Sequence, residues 1–280
     1  MKRVLIIGDT RKPKIQSALQ ELNSWLKERA QTVILDLAQE EGKRSLEGDI
    51  AVVLGGDGAF LRASRMVSPF GIPLVGVHLG AFGFLAELTP TDMYDYLEKA
   101  LRNECRIVPR MLLNCRLERG QKVIKESLGV NDAVISRSSL SRLISIRLFI
   151  DEEEVTVYSS DGLIVSTPMG STAHCLAAGG PILSPDLDAF VILPICPHTL
   201  TNRPLVISSD SRIEMEPTSE GVEIGLTVDG QVYEDILPGD RIKVERARLP
   251  LRFVDTGIRS FYAVLREKLA WGGSPKYGSS

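Results

Sequence analysis

At 280 residues, with 44% hydrophobic and 25% charged residues, the chain has the material for a sizeable soluble core, and its length points to about two domains. Its 33 Lys and Arg against 36 Asp and Glu leave a net charge of −3. That balance argues against broad nucleic-acid or membrane-surface binding, and leaves room for a local basic pocket around a phosphorylated small molecule. No apolar run approaches the ~20 residues of a membrane-spanning helix. Cys105, Cys115, Cys175 and Cys196 are scattered, with neither a CxxC pair nor metal-ligand spacing. Val4-Leu-Ile-Ile7 runs at once into Gly8, Asp9 and a basic stretch, unlike a signal peptide. The expectation is a cytoplasmic protein whose thiols stay reduced as small core residues.

Residues 2–7 read as a buried opening strand. Ile15, Leu19, Leu22 and Leu26 then recur at helical spacing behind Pro13. Residues 32–37 form a second expected strand, and 39–48 a charged connector. Further strands are expected over 50–54 and 73–77, separated by an amphipathic helix over 59–66. Tyr94, Leu97 and Leu101 mark another helix, after the start signal Thr89-Pro90-Thr91-Asp92. Repeated βα units imply a doubly wound, Rossmann-like α/β layer with a parallel sheet. Such sheets take ligands at the carboxyl ends of their strands.

After Pro109 the rhythm changes to short β-rich stretches: 112–118, 122–125, 132–136, 143–150, 155–158, 163–166, 212–215, 223–228, 241–244 and 251–254. Gly, Asp, Ser and Pro punctuate them, the signature of an all-β domain. A helix-compatible patch interrupts the run at 171–178. Residues 261–271 return to helical spacing through Phe261, Val264, Leu265 and Leu269. The expected division is an α/β domain over 1–108, joined by a C-terminal helix within 257–271, a β-rich domain over 109–256, and a frayed tail at 272–280.

Two motifs carry chemistry. Gly55-Gly56-Asp57-Gly58 stands where the strand 50–54 hands over to the helix. Glycine lets backbone approach a ligand closely, and the start of a helix attracts an anion, so the turn suits phosphate. The same four residues also read as a tight strand-to-helix turn capped by Asp57. The second motif runs from Asp161-Gly162 through Ser166-Thr167-Pro168-Met169-Gly170-Ser171-Thr172-Ala173-His174 to Ala178-Gly179-Gly180-Pro181-Ile182. Its hydroxyls and backbone N–H groups suit ribose or phosphate oxygens, or equally an N-capped helix with a Gly-Gly-Pro exit.

Together the two motifs resemble the NAD kinase family over nearly the whole chain. Supporting blocks are Gly76-Val-His-Leu-Gly80-Ala-Phe-Gly83-Phe84-Leu85, Gly129-Val-Asn131-Asp132-Ala133-Val134, Pro197-His198-Thr199-Leu200 with Arg203-Pro204-Leu205, and Val228-Asp229-Gly230-Gln231. GGDG alone also occurs in phosphofructokinases and lipid kinases; all these blocks in this order are far more specific. The resemblance implies the fold that NAD kinases share with diacylglycerol kinases, and transfer of the γ-phosphoryl of ATP to the 2′-hydroxyl of the adenosine ribose of NAD. It implies Mg²⁺ or another divalent ion held through substrate phosphates, and a homodimer or homotetramer with no nucleic-acid or membrane partner.

Carried over residue by residue, Asp57 matches the general base or orienting carboxylate. Gly55, Gly56 and Gly58 would lie against the triphosphate, and Gly58 also against the dinucleotide. Asn131 and Asp132 match the family pair that holds the dinucleotide, where composition alone reads an Asx-turn. Asp161 resembles an aspartate that contacts it, often from a neighbouring subunit; alone it reads as an Asp-Gly turn. Thr172, Ala173, His174, Cys175, Leu176 and Ala177 match the segment lining the dinucleotide pocket. Arg62 and Arg142 fall where some relatives contact ligand and read equally as solvated arginines; Gln231 is a further candidate. Departures are His174 for a frequent Tyr, Ala177 for Ser, His78 for Asn and Met169 for Thr. Two other readings stay open: another GGDG kinase acting on a lipid or sugar phosphate, and a non-catalytic dinucleotide-binding regulator.

Overall fold

The computed structural model describes residues 1–39, 45–80, 82–138, 142–199, 201–219 and 221–271. Half of the expected connector (40–44) and the expected tail (272–280) lie outside them. The first layer is a parallel sheet in the order β2-β1-β3-β4, formed by β1 (Arg3–Gly8), β2 (Gln31–Asp36), β3 (Ile50–Leu54) and β4 (Leu74–Val77). Its central strands are continuous apolar runs because both of their faces are covered. Val4, Ile6, Val52 and Leu54 pack with Ile15, Leu19, Leu22 and Leu26 of helix α1 (Pro13–Leu26) and with Met93, Leu97 and Ala100 of α3 (Asp92–Leu101). The alternate residues Leu5, Ile7, Ala51 and Val53 pack with Phe60, Leu61, Ala63 and Val67 of α2 (Asp57–Val67). The side-chain period of two along each strand therefore divides the core between two helical layers, and the sheet is doubly wound. The start signal of α3 works as its composition promises: the Thr89 hydroxyl accepts the Asp92 N–H at 3.2 Å and donates to the Asp92 carboxylate at 2.6 Å.

Two further strands complete this sheet. Arg106–Arg110 forms its edge, and Leu251–Asp255 sits between that strand and β4, parallel to β4 and antiparallel to the edge. In sequence Leu251–Asp255 continues the β-rich run; in space it belongs to the α/β sheet. The helix Phe261–Lys268 follows it, buries Val264 and Leu265, and sends Lys268 Nζ to the carbonyl of Phe82.

The remaining strands make a sandwich of two six-stranded antiparallel sheets. Leu117, Ile146, Leu148, Met215 and Val244 from one inner face meet Ile135, Leu163, Val165, Phe190 and Leu226 from the other. Ala189–Ile195, Leu205–Ser208 and Val232–Ile236 are strands the sequence reading passes over. The first is a buried apolar run without alternation, and the other two are short edge strands with half their side chains exposed.

Candidate active site

Asp57 is the first residue of α2, with Gly56 at the cap position, and it makes no capping bond to its own helix. Its carboxylate turns to the loop after β4 instead. The N–H of Phe84 donates to Oδ2 at 2.9 Å and that of Leu85 to Oδ1 at 3.1 Å. A side chain on Gly83 would collide with both oxygens, so glycine is what lets the loop come this close. Two donors fix the carboxylate and leave each oxygen a lone pair for a further hydroxyl.

Two cavities lie against the segments that carry and hold this carboxylate, one beside Gly56 and Gly58 and one beside Phe84 and Leu85, and the Asp57 side chain itself lines neither. One, about 690 Å³, opens at the carboxyl ends of β1 and β3, where the strand order reverses. It is lined by Gly55, Gly56 and Gly58, by Lys12 after β1, and by Arg62, Arg65 and Gln231. Nothing stands in front of Gly56, so a ligand can reach its backbone. On the same rim Arg11 holds the Asp9 carboxyl down to about 2. The other cavity, about 270 Å³, lies behind the loop that holds Asp57 and is walled by Phe84, Leu85, Met169, Thr172, Phe253 and Phe261. Glu87 also lines it; burial raises its carboxyl although the Thr256 hydroxyl donates to it.

The hydroxyls of the second motif are spent on the protein itself. Thr167 donates its hydroxyl to the Val130 carbonyl at 2.6 Å and its N–H to the Asn131 carbonyl at 2.8 Å. Ser166 donates to the Asn131 carbonyl, Ser171 to that of Pro168 and Thr172 to that of Met169. The motif is therefore a cradle for the Asn131 backbone, and Gly170 is small because a side chain there would strike the Asn131 carbonyl. The Asn131 side-chain oxygen is buried with no hydrogen-bond partner. Such an orphan acceptor costs about 1–3 kcal/mol until a donor meets it. Asp132 is buried beside it, its carboxyl pushed up to about 7 by burial and then by the charge of Asp229.

Asp229 and Gly83 stand in blocks that carry the family resemblance but receive no role from the sequence, and Arg65 is not singled out at all. Asp229 occupies the turn between Ile224–Val228 and Val232–Ile236 at φ 53°, with a fully buried side chain. Its carboxylate accepts the N–H groups of Val130, Asn131 and Asp132 at 2.7–3.3 Å, and Arg65 Nη1 donates to it at 2.7 Å. Arg65 also donates to Gln231 Oε1, and Gln231 Nε2 donates to the Gly58 carbonyl at 2.8 Å. Apart from the resemblance, the sequence signal at Asp229 is the Asp229-Gly230 dipeptide, which by itself says turn.

The other candidates divide. Arg62 reaches the Gln39 carbonyl from the wall of the larger cleft. Ala173 and Leu176 are half-buried, and His174 and Ala177 exposed, on the short helix His174–Ala177. Cys175 faces the opposite way: it packs among Val134, Ile164, Val191 and Leu193, and burial pushes its thiol up to about 11. Arg142 is exposed and nothing in the described residues joins it to either cavity. Asp161 pairs with Arg137 at 2.8 Å. The register places Ser166 opposite Asp132 and Gly162 opposite Ser136, so Asp161 lies at the far end of those strands from Asn131, ~20 Å away at strand rise. Among the described residues no group of three or more His, Cys, Asp or Glu is placed to hold a metal ion.

Residues 44–105 match the ATP-NAD kinase N-terminal domain and residues 130–256 the ATP-NAD kinase C-terminal domain. An NAD kinase of Geobacter metallireducens is 38% identical over 281 residues, covering 97% of this chain and 99% of its own. That of Trichlorobacter lovleyi is 40% identical over 283 residues, with the same coverage. The chain belongs to the NAD kinase family. NAD kinases of known structure share its fold: the yeast NADH kinase complexed with NADH superposes with a TM-score of 0.87 at 24% identity, covering 100% of this chain and 90% of that one. The Archaeoglobus fulgidus NAD kinase in complex with ATP gives 0.75 at 24% identity, with 96% and 98% covered. As a member of the NAD kinase family, the protein is a phosphotransferase with an alcohol acceptor, moving the γ-phosphoryl of ATP to the 2′-hydroxyl of the adenosine ribose of NAD.

Proposed function

We propose that Asp57 orients that 2′-hydroxyl and takes its proton, with the dinucleotide in the smaller cavity and the triphosphate along Gly55, Gly56 and Gly58 in the larger one. The observation that carries this reading is the Asp57 carboxylate, pinned by the N–H groups of Phe84 and Leu85, which line one cavity, while its chain neighbours Gly56 and Gly58 line the other. The first combines Phe84, Phe253 and Phe261 with Thr172 and with charged side chains such as Glu87 and Arg110, and the second combines glycine backbone with Lys12, Arg62 and Arg65. Phosphoryl transfer asks the protein mainly for alignment and charge neutralisation, and a carboxylate held by two N–H groups supplies the alignment. The unpartnered Asn131 oxygen fits a donor on the dinucleotide, and Asp132, Ala173, His174, Leu176 and Ala177 would complete its surroundings.

The donor set fits Mg²⁺ as a hard ion that keeps its waters and takes most of its oxygens from substrate phosphates. Asp57 stands within the glycine turn and would offer the ion a carboxylate oxygen, and a bound Mg²⁺ would neutralise phosphate charge there. Asp161, at the far end of its strand, would reach a dinucleotide only in another copy, which supports a homo-oligomer. We place the protein in the cytoplasm: its four cysteines are unpaired and no described helix is long and apolar enough to cross a membrane.

Asp57→Asn tests the assignment. Calorimetry should find NAD affinity within about threefold of wild type, while turnover falls about 10²–10⁴-fold, the usual loss of a general base. Turnover near the wild-type rate in that variant would remove Asp57 from the chemistry.

A further inference from the structure

We infer that Arg65 is a positioning residue: with Asp229 it locks the loop Val130–Asp132 to the helix that begins at Asp57, and so sets the dinucleotide against the catalytic carboxylate. The inference rests on the roles proposed above for Asp57 and Asn131. Its ground is a closed ring of contacts. Arg65 stands two turns along α2 from Asp57 and spreads its guanidinium between Asp229 Oδ2 and Gln231 Oε1. Gln231 returns to the Gly58 carbonyl, inside the glycine turn itself. Asp229 spends its carboxylate on the three successive N–H groups of Val130, Asn131 and Asp132. The GGDG turn and the Asn131 loop, over 70 residues apart in sequence, are thus tied through one arginine and one hairpin.

Several features mark the ring as more than a surface ion pair. The Asp229 side chain is 0% exposed and that of Arg65 11%, so solvent screens the pair little. Asp229 also holds φ 53° in a turn closed by Gln231 N–H to the Val228 carbonyl at 3.0 Å. Positive φ is the ordinary backbone of Asp-Gly in a tight hairpin turn, so the hairpin presents the Asp229 carboxylate to the loop without strain. A buried ion pair adds little net stability against an apolar replacement. What the pair does supply is geometry: a planar fork aims two donors at fixed angles, which the single ammonium of lysine does not reproduce.

The test compares full-length Arg65→Met and Arg65→Lys with wild type in steady-state kinetics for NAD and ATP, with thermal unfolding alongside. Arg65→Met should raise KM for NAD and lower kcat, each about tenfold or more; a misplacement near 1 Å carries losses of this size. Because Arg65 also lines the cavity assigned to the triphosphate, KM for ATP rises too, but by clearly less than KM for NAD. Arg65→Lys should recover the melting temperature and only part of kcat. A lower melting temperature in Arg65→Met with both NAD parameters unchanged would reduce Arg65 to a structural role and overturn the inference, as would full kinetic rescue by lysine. Should Arg65→Met fail to fold, Gln231→Leu cuts the second prong at an exposed position and should show the same split in smaller measure; unchanged kinetics there would also overturn it. Failure of the Asp57 assignment is separate, because it reads out as an active Asp57→Asn.

Discussion

Asp132 is a carboxylic acid whose charge the fold resists. Burial and the neighbouring Asp229 raise it to about 7, above its value in an unfolded chain, so the folded state binds its proton more tightly. The stability this contributes is complete below about pH 4 and is lost as pH climbs through about 7. Urea unfolding across pH 4 to 8 should therefore show wild type losing on the order of 2–4 kcal/mol through this group, at ~1.4 kcal/mol per pH unit. Asp132→Asn should flatten that slope; an unchanged slope would place the titration elsewhere. The residue also shows how far a sequence reaches. Asp57, Asn131 and Asp132 stand out as candidates in the sequence because their motifs are local. Asp229 does not, since its meaning lies in N–H groups nearly a hundred positions away. Nor did Ser166, Thr167 and Ser171 betray that their hydroxyls serve backbone carbonyls.

Between elements, the decisive approach is that of the loop after β4 to the start of α2. Gly83 is the point of closest passage. Gly83→Ala should push the loop off Asp57 and lower kcat at least tenfold, since both N–H donors that aim the carboxylate would move. Circular dichroism should stay native, because the change touches neither helical layer. Wild-type kcat in that variant would mean the loop does not aim the carboxylate. At this scale the sequence was legible wherever burial is one-sided: the stripe of α1 and the alternation of the sandwich strands follow directly from it. It missed Ala189–Ile195, an apolar run without alternation that, unlike 50–54 and 73–77, has no βα rhythm around it to mark it, and Val232–Ile236, whose Tyr-Glu-Asp centre breaks the apolar–polar alternation.

For the molecule as a whole, the question is where Asp161 finds its partner. If each dinucleotide takes Asp57 from one copy and Asp161 from another, mixing Asp57→Asn with Asp161→Ala protein, unfolded and refolded together, should restore activity that neither has alone. In mixed oligomers one site then carries both native carboxylates. A mixture as inactive as its parents would confine each site to one chain. The two sheet systems were foreseeable from composition and rhythm, but not the crossing of Leu251–Asp255 into the first sheet, because its alternation suits either. That crossing has a consequence for biosynthesis. The ribosome makes β4 more than 170 residues before Leu251–Asp255, the strand that flanks it in the sheet. Throughout that interval β4 presents a bare edge to any neighbouring nascent chain.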